Sequence, residues 1–179
     1  MTLAPDTHPI GAPAPVVLAG ALAVSVGGLV LVGDSFTGKT TAAYHLLELA
    51  ARDEWWPGLA ITSDQLNRIP ELVLGGSFGE LREKLRDREN LLVLDDFDKV
   101  RFSPRTAAEV WSLIEFRLRG DACPSPLVIT MNVRSRAGFL KLFASRESDD
   151  KKTGLSIYNR LVAHCEFIDF DATERSSER

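Results

Sequence analysis

Five short, mainly apolar runs recur along the chain, each bounded by polar or turn-forming positions. Such runs are typical of strands that are buried on both faces of a parallel sheet. The longer segments between them carry apolar residues at every third or fourth position, the spacing of helices that bury one face. Strands that alternate with helices predict an α/β domain with helices on both faces of a parallel sheet. The predicted strands are residues 28–32, 59–62, 91–94, 127–131 and 167–170.

Helix ends are predicted from capping residues as well as from spacing. Ser103 followed by Pro104 suits an N-cap and a first helical position, and Gly120 suits the end of the same helix. Other helices are predicted over residues 41–52, 80–89, 137–143 and 155–164, with a polar loop over 145–154. A further helix, with Ser63 or Asp64 as its cap, contains Leu66, Ile69 and Leu72.

The two ends of the chain differ in composition from its middle. Residues 1–15 are proline-rich and without periodicity, which predicts a flexible tail, and residues 171–179 are polar and are predicted to fray. The folded domain is therefore expected over residues 16–170, beginning with a short apolar helix over residues 15–26.

Composition narrows the class of protein. With 179 residues, 45% hydrophobic and 26% charged, the chain suits one soluble globular domain. Its formal charge of −4 gives no overall basic field for nucleic acid. The apolar stretch over residues 16–32 lacks a basic leading region, so we expect no membrane association. Cys123 and Cys165 lack metal-ligand spacing, which favours a reducing cytoplasmic setting with packed thiols.

The first candidate site is a phosphate-binding loop between the first strand and the next helix. The run from Gly33 to Thr40 fits G-x-x-x-x-G-K-[ST], whose backbone N–H groups surround phosphates. Lys39 supplies a charge for the β and γ oxygens, and the Thr40 hydroxyl can bind Mg²⁺. A structural glycine turn is the alternative. The predicted nucleotide-binding residues are Gly33, Asp34, Ser35, Phe36, Thr37, Gly38, Lys39, Thr40 and Thr41.

Polar residues follow two later strands, at the sheet edge where ligands bind in open parallel sheets. Asp95 and Asp96 end the third run, and Asn132 follows the fourth. Asp95 is expected to hold Mg²⁺, largely through water, and Asp96 to accept a proton from attacking water. Asn132 offers a donor and an acceptor that can orient water or contact the γ-phosphate.

Four motifs in one order resemble the DnaC/IstB-type AAA+ ATPases, which include helicase loaders and transposase helpers. The motifs are GDSFTGKT, LLVLDDFDKV, LVITMN and SIYNRLVAHCEFIDF, and together they extend from Gly28 to Phe170. The resemblance implies a three-layer P-loop sandwich with five parallel strands in the order 5-1-4-3-2. It also implies that ATP and Mg²⁺ are the cofactors.

The resemblance further implies how the chain acts. Asp95 and Asp96 take the Walker B positions, Asn132 the sensor position, and Arg160 becomes an arginine finger for a neighbouring subunit. A forked, permanent cation suits charge spread over phosphoryl oxygens. The implied protein is a homo-oligomeric ATPase, slow or dependent on assembly, whose partners are a replicative helicase or transposase and single-stranded DNA. The alternative for Arg160 is an ordinary surface residue.

Departures from the family pattern, and rival enzyme classes, keep other functions open. Phe36 stands where these loops have a small residue, and a bulky side chain disfavours positive φ, which predicts a reshaped loop or weaker nucleotide binding. A non-hydrolysing, nucleotide-dependent binding module is therefore one alternative. A P-loop small-molecule kinase is another, although its arginine-bearing lid would have only Arg146 in the loop over 145–154. The second sensor arginine has one weak candidate, Arg175.

Several basic residues could contact nucleic-acid phosphates, which requires only charge and reach. Ordinary solvated charge is the alternative for each of them. The residues are Arg117, Arg119, Arg134, Arg136 and Lys141.

Overall fold

A single sheet of five parallel strands lies at the centre of the computed structural model, which describes residues 27–52, 57–87, 89–119, 126–144 and 151–171. The strands are β1 (Gly28–Val32), β2 (Gly58–Thr62), β3 (Leu91–Asp95), β4 (Leu127–Met131) and β5 (Cys165–Asp169). Their order is β2-β3-β4-β1-β5. Read from the other edge this is 5-1-4-3-2, so the predicted fold class and strand order are confirmed.

The register of the central strands brings the predicted site residues to one edge of the sheet. Strands β1, β3 and β4 are buried along their whole length, as their continuous apolar runs predict. Val32 pairs with Met131, so the phosphate loop and Asn132 leave the sheet side by side. Leu94 pairs with Ile129, which sets the end of β3 at the same edge.

Seven helices in the described part of the chain cover the two faces of this sheet. Alternate strand residues point to opposite faces. Leu29 and Leu31 pack with Leu46 under the first helix, whereas Val30 and Val32 face the larger core under the later helices. The helices are α1 (Lys39–Arg52), α2 (Ser63–Asn67), α3 (Ile69–Leu74), α4 (Phe78–Arg86), α5 (Pro104–Leu118), α6 (Arg136–Leu142) and α7 (Lys151–His164).

The single helix predicted after β2 is wrong, because the chain forms two short helices there. Thr62, not Ser63 or Asp64, is the N-cap of α2, and it forms a capping box with Gln65. Helix α2 ends at Asn67, and Pro70 lies in the first turn of α3. Proline lacks the N–H that a continuous helix would need at this position, so a second helix starts instead.

Two other helix predictions have different outcomes. The Ser103 side chain accepts a hydrogen bond from the Thr106 N–H at 3.1 Å, which confirms Ser103 as the cap of α5. The predicted polar loop is wrong at its end, because residues 151–154 form the first turn of α7. Gly154 is needed there since a β-carbon would lie 2.7 Å from the Phe143 ring. A packing glycine was thus mistaken for a loop residue.

Several predictions concern residues outside the described part of the chain. They are the tail over 1–15, the helix over 15–26, Cys123, Arg146 and Arg175. Within the described residues, no helix is long and apolar enough to cross a membrane.

Candidate nucleotide-binding site

The predicted phosphate loop connects β1 directly to α1. Gly33 has φ 151°, and a β-carbon there would lie 3.1 Å from both the Phe170 β-carbon and Thr37 Oγ1, so only glycine fits without displacement. The Gly38 carbonyl accepts the helical hydrogen bond of the Ala42 N–H at 2.9 Å. The helix therefore starts at Lys39, and its first N–H groups point toward the loop.

Lys39 lies at the centre of the loop and not on its outer surface. Its side chain is buried, and its Nζ donates to the carbonyl oxygens of Gly33 at 2.9 Å and Asp34 at 2.6 Å and to Thr37 Oγ1 at 3.2 Å. Burial lowers the pKa of the Lys39 ammonium, and the negative charge of Asp98 opposes this shift most strongly. The loop thus holds a cation among its own oxygens, where phosphate oxygens are expected to bind.

Phe36 has an unusual backbone conformation at the outer side of the loop. Its φ is 69°, in the left-handed region that glycine adopts readily, and its side chain is fully exposed. The loop therefore keeps a left-handed residue here in spite of the phenyl group. Ser35 and Thr41 are also exposed, on either side of the buried lysine.

Thr40 and Asp95, the two predicted metal ligands, are brought into contact. The Thr40 hydroxyl donates to Asp95 Oδ1 at 2.9 Å. Thr130 donates to the same oxygen at 2.7 Å and accepts the Asp96 N–H at 2.9 Å. Thr130 was missed from the sequence, although a hydroxyl residue inside an otherwise apolar strand was a usable signal.

The paired hydroxyl and carboxylate fit Mg²⁺. Both are hard oxygen donors, and Mg²⁺ is usually held by one or two carboxylates together with substrate phosphates and water. In the part of the chain that the structure describes, no cluster of three or more His, Cys, Asp or Glu side chains could hold a metal ion. Thr40 and Asp95 are the residues that would hold Mg²⁺, with phosphate oxygens and water completing the shell.

Asp96 and Asn132 lie beside this pair, each with a partner that the sequence did not indicate. Asp96 has φ 55°, and its carboxylate accepts a hydrogen bond from Lys99 at 2.6 Å, which raises the pKa of the Lys99 ammonium. Asn132 donates from its backbone N–H and from Nδ2 to the carboxylate of Asp98. Asp98 was overlooked because it follows two more obvious aspartates.

Arg160 is not brought to the loop within one chain. Its Nη2 lies 2.7 and 2.5 Å from the two carboxylate oxygens of Glu115, and its Nη1 lies 3.2 Å from His164 Nε2. Helix α7 ends at His164, and the next residue, Cys165, pairs with the first residue of β1. Arg160 is one helical turn from that end. It therefore lies toward the amino ends of the strands, whereas the phosphate loop lies at their carboxyl ends.

Two of the five basic residues predicted as possible phosphate contacts, both of them arginines, are instead engaged within the protein. Arg117 is completely buried, and its guanidinium donates to backbone carbonyls, including Leu85 at 2.9 Å and Asn90 at 2.6 Å. Its permanent charge is stabilised there by carbonyl dipoles at the end of α4 and before β3.

Arg134 is the second of these arginines, and it lies in an acidic group beside the loop. Its guanidinium is 3.3 Å from Asp34 and 3.7 Å from Asp169, and it contacts Asp171. Asp171, which we assigned to the C-terminal tail, also accepts the Asp34 N–H at 2.7 Å. Arg134 therefore joins the loop after β1 to the segment after β5.

The other three basic residues are exposed. Arg119 lies 3.9 Å from Glu115, and the Arg136 guanidinium lies 5.9 Å from the centre of the Tyr158 ring. Lys141 is exposed on α6. These three remain candidates for contact with nucleic acid.

Cys165 is the cysteine that lies in the described part of the chain, and a packed thiol was predicted for it. Burial raises the pKa of the Cys165 thiol to about 12, so little thiolate is present at neutral pH. A packed, unreactive thiol was expected at this position.

Comparisons with known proteins bear on the fold. The sequence matches no protein-family model and no curated protein. Among solved structures, DnaI is 20% identical with a TM-score of 0.69, and the match covers 87% of this chain and 82% of DnaI. The DnaC helicase loader is 17% identical with a TM-score of 0.65, covering 90% and 92%.

The replication initiator DnaA has a similar fold in part of its length. AMPPCP-bound DnaA from Aquifex aeolicus is 16% identical with a TM-score of 0.62, and the match covers 86% of this chain. This chain spans only 44% of that protein. Together with the strand order and the loop, these likenesses show that the chain has the DnaC/IstB-like P-loop fold of AAA+ domains.

Proposed function

We propose that this protein is an ATPase that binds Mg·ATP at the loop after β1 and couples hydrolysis to assembly on DNA or on a replication or transposition partner. The observation that carries the proposal is the contact between Thr40 and Asp95 beside the buried Lys39. Lys39 and Thr40 begin α1, whereas Asp95 ends β3. Together they supply the cation and oxygen donors that a nucleoside triphosphate and its metal require.

Each residue of the site has a proposed task in hydrolysis. Lys39 exchanges its loop carbonyl partners for β and γ oxygens, and the N–H groups at the start of α1 bind the same phosphates. Bound Mg²⁺ supplies charge neutralisation on the transferred phosphoryl group. Asp96 accepts a proton from attacking water once its hydrogen bond to Lys99 opens, and Asn132 orients that water. No covalent enzyme intermediate is needed.

Assembly is proposed because one chain does not complete the site. Arg160 lies toward the amino ends of the strands, and the loop lies at their carboxyl ends. Arg160 can therefore meet a γ-phosphate only in a neighbouring copy. In such an assembly its present partner, Glu115, would have to release it. Turnover is then expected to rise with protein concentration, because the finger is supplied by the neighbour.

The proposed partners follow from the relatives. One DnaA structure of the same fold is described as bound to AMPPCP and single-stranded DNA, and DnaC is described as a helicase loader. For this chain we therefore propose single-stranded DNA and a replicative helicase or transposase. The exposed basic residues Arg119, Arg136 and Lys141 are the candidates for phosphate contact.

Two variants and a control test ATP binding and hydrolysis. Lys39→Ala should abolish binding of a fluorescent ATP analogue, and Asp95→Asn should lower turnover by about 100-fold or more while the analogue still binds. Lys84→Ala removes an exposed lysine on α4, away from every proposed contact, and should change neither quantity. Hydrolysis by Asp95→Asn at the wild-type rate would contradict the assignment of this site. Phosphate appearing on an acceptor and not in solution would favour a kinase.

Assembly is tested by measuring mass in solution. The mass of the wild-type protein is compared with and without ATP and single-stranded DNA, and the same is done for Arg160→Ala. The wild-type mass should increase when both ligands are present, and Arg160→Ala should assemble yet hydrolyse slowly. An unchanged mass in every condition would refute the role of Arg160 between subunits.

A further inference from the structure

Asp98 forms a two-pronged contact with Asn132 at the edge of the nucleotide site. The backbone N–H of Asn132 donates to Asp98 Oδ1 at 3.1 Å, and Asn132 Nδ2 donates to Asp98 Oδ2 at 3.0 Å. An ionised carboxylate only accepts hydrogen bonds, so the nitrogen of the amide must face it. The amide orientation is therefore determined by chemistry, and its oxygen is left for other partners.

The segment that carries Asp98 is itself held at several points. Asp96 leaves β3 in the left-handed conformation, and its N–H donates to Thr130. Residues 97–99 then form one 3₁₀ turn, in which Phe97 is completely buried. The Phe97 ring centre lies 5.3 Å from that of Phe102 and 6.2 Å from that of Phe139. Asp98 is thus presented toward β4 by a turn anchored in the core.

Asp98 also lies within electrostatic reach of the phosphate loop. Among nearby charges, it has the largest effect on the pKa of Lys39. Two cross-strand contacts thus join the ends of β3 and β4, one between Asp95 and Thr130 and one between Asp98 and Asn132. The first lies beside the proposed metal ligand, and the second holds the proposed sensor amide.

We propose that Asp98 is a positioning residue for ATP hydrolysis, which fixes the side-chain amide of Asn132 in the orientation that aligns water with the γ-phosphate. This inference rests on the proposed function. The terminal torsion of an asparagine side chain is broad, so an unsupported amide would sample several orientations. A group held before the reaction contributes more than one that must reorganise during it.

The test combines Asp98→Asn, Asn132→Ala and the double variant. Turnover and affinity for a fluorescent ATP analogue are measured for each of the full-length proteins. Asp98→Asn should lower kcat by about 10-fold and leave affinity within about 2-fold, because asparagine offers one acceptor oxygen and brings an NH₂ against that of Asn132. In the double variant kcat should equal that of Asn132→Ala, because Asp98 acts through Asn132.

Asp87 provides a matched control at the other end of β3. Its carboxylate accepts the Glu89 N–H at 3.0 Å and Asn90 Nδ2 at 2.9 Å, the same type of two-pronged contact. Asp87→Asn disturbs the same pair of donor types in an exposed, local contact and should not lower kcat. If Asp87→Asn lowers kcat as much as Asp98→Asn, the effect belongs to stability and the proposal is overturned.

Other outcomes separate this inference from the proposed function. An unchanged kcat in Asp98→Asn, a double-variant loss equal to the product of the single losses, or an equal loss of affinity would each overturn it. The side-chain amide signals of Asn132 in a ¹⁵N NMR spectrum give a readout without turnover, and Asp98→Asn should shift them. If the wild-type protein hydrolyses no ATP, the proposed function fails, whereas unmoved amide signals would refute the contact itself.

Discussion

Replacing Phe36 by glycine should stabilise the protein, because the backbone there already has a conformation that glycine adopts readily. Phe36 has φ 69°, and the left-handed region costs an ordinary residue about 1–2 kcal/mol. The side chain has 105% relative exposure, so little packing is lost with it. Glycine gains freedom in the unfolded chain, which costs about 0.5–1 kcal/mol. The expected net gain in the free energy of unfolding is about 0.5–1 kcal/mol.

Phe36→Ala separates the backbone from the side chain. Alanine also lacks the phenyl group but keeps the β-carbon, so it should retain most of the strain and stay within about 0.5 kcal/mol of the wild type. Urea denaturation without nucleotide measures the difference, and a gain of about 1 kcal/mol corresponds to a Tm increase of roughly 2–4 °C. Equal stabilisation by alanine and glycine would refute the backbone explanation.

The same two variants test whether Phe36 weakens nucleotide binding. Because the loop of the wild-type chain already holds the left-handed conformation, Phe36→Gly should change ATP affinity by less than tenfold, which is about 1.4 kcal/mol. Titration with a fluorescent ATP analogue measures this change. If ATP affinity instead increases by more than tenfold in both variants, the phenyl group, and not the backbone, restricts the site.

Three further predictions concern residues outside the loop. Arg117→Met should lower the free energy of unfolding by about 2–4 kcal/mol in urea denaturation, because it leaves buried carbonyl oxygens without their charged donor, while ATP-analogue affinity should not change. In a Cys123→Ser background, the rate of Cys165 alkylation at pH 8 should be far lower in the folded than in the urea-unfolded protein. This rate should rise as the pH approaches the pKa of about 12, because only the thiolate reacts. Glu115→Gln should weaken the hold on Arg160 and raise assembly-dependent ATP turnover, measured against protein concentration, whereas unchanged turnover would exclude Glu115 as a restraint.

The sheet was predictable from the sequence because its central strands are continuous apolar runs. Residues 28–32 and 127–131 needed no correction, since burial on both faces leaves little choice of residue type. The short helices after β2 were not predictable in the same way. Apolar spacing continues from Leu66 to Leu72 across the break, so the period alone indicates one helix, and only Pro70 marks the second start.

The contact between Thr40 and Asp95, the two predicted metal ligands, was predictable because both residues lie in motifs with fixed spacing. Thr40 and Asp95 are 55 positions apart. Thr40 follows the loop after the first predicted strand and Asp95 follows the third, and the carboxyl ends of parallel strands lie together. The partners Thr130 and Asp98 were not found. Their importance depends on which hydroxyl or carboxylate faces which neighbour, and strand register alone does not specify side-chain direction beyond the two faces.

The basic residues show most clearly how location changes the meaning of a charge. An arginine near a helix end looks the same in the sequence whether its side chain faces water, a phosphate or the protein core. Arg117 is used inside the core, where carbonyl dipoles hold it, and Arg134 is used between three aspartates beside the loop. The proposed contact with DNA is therefore left to the exposed residues Arg119, Arg136 and Lys141. Of these, Arg136 begins the helix that follows β4, and β4 ends beside the strand from which the phosphate loop leaves. A DNA phosphate bound at Arg136 would then lie at the same strand ends as the proposed nucleotide site.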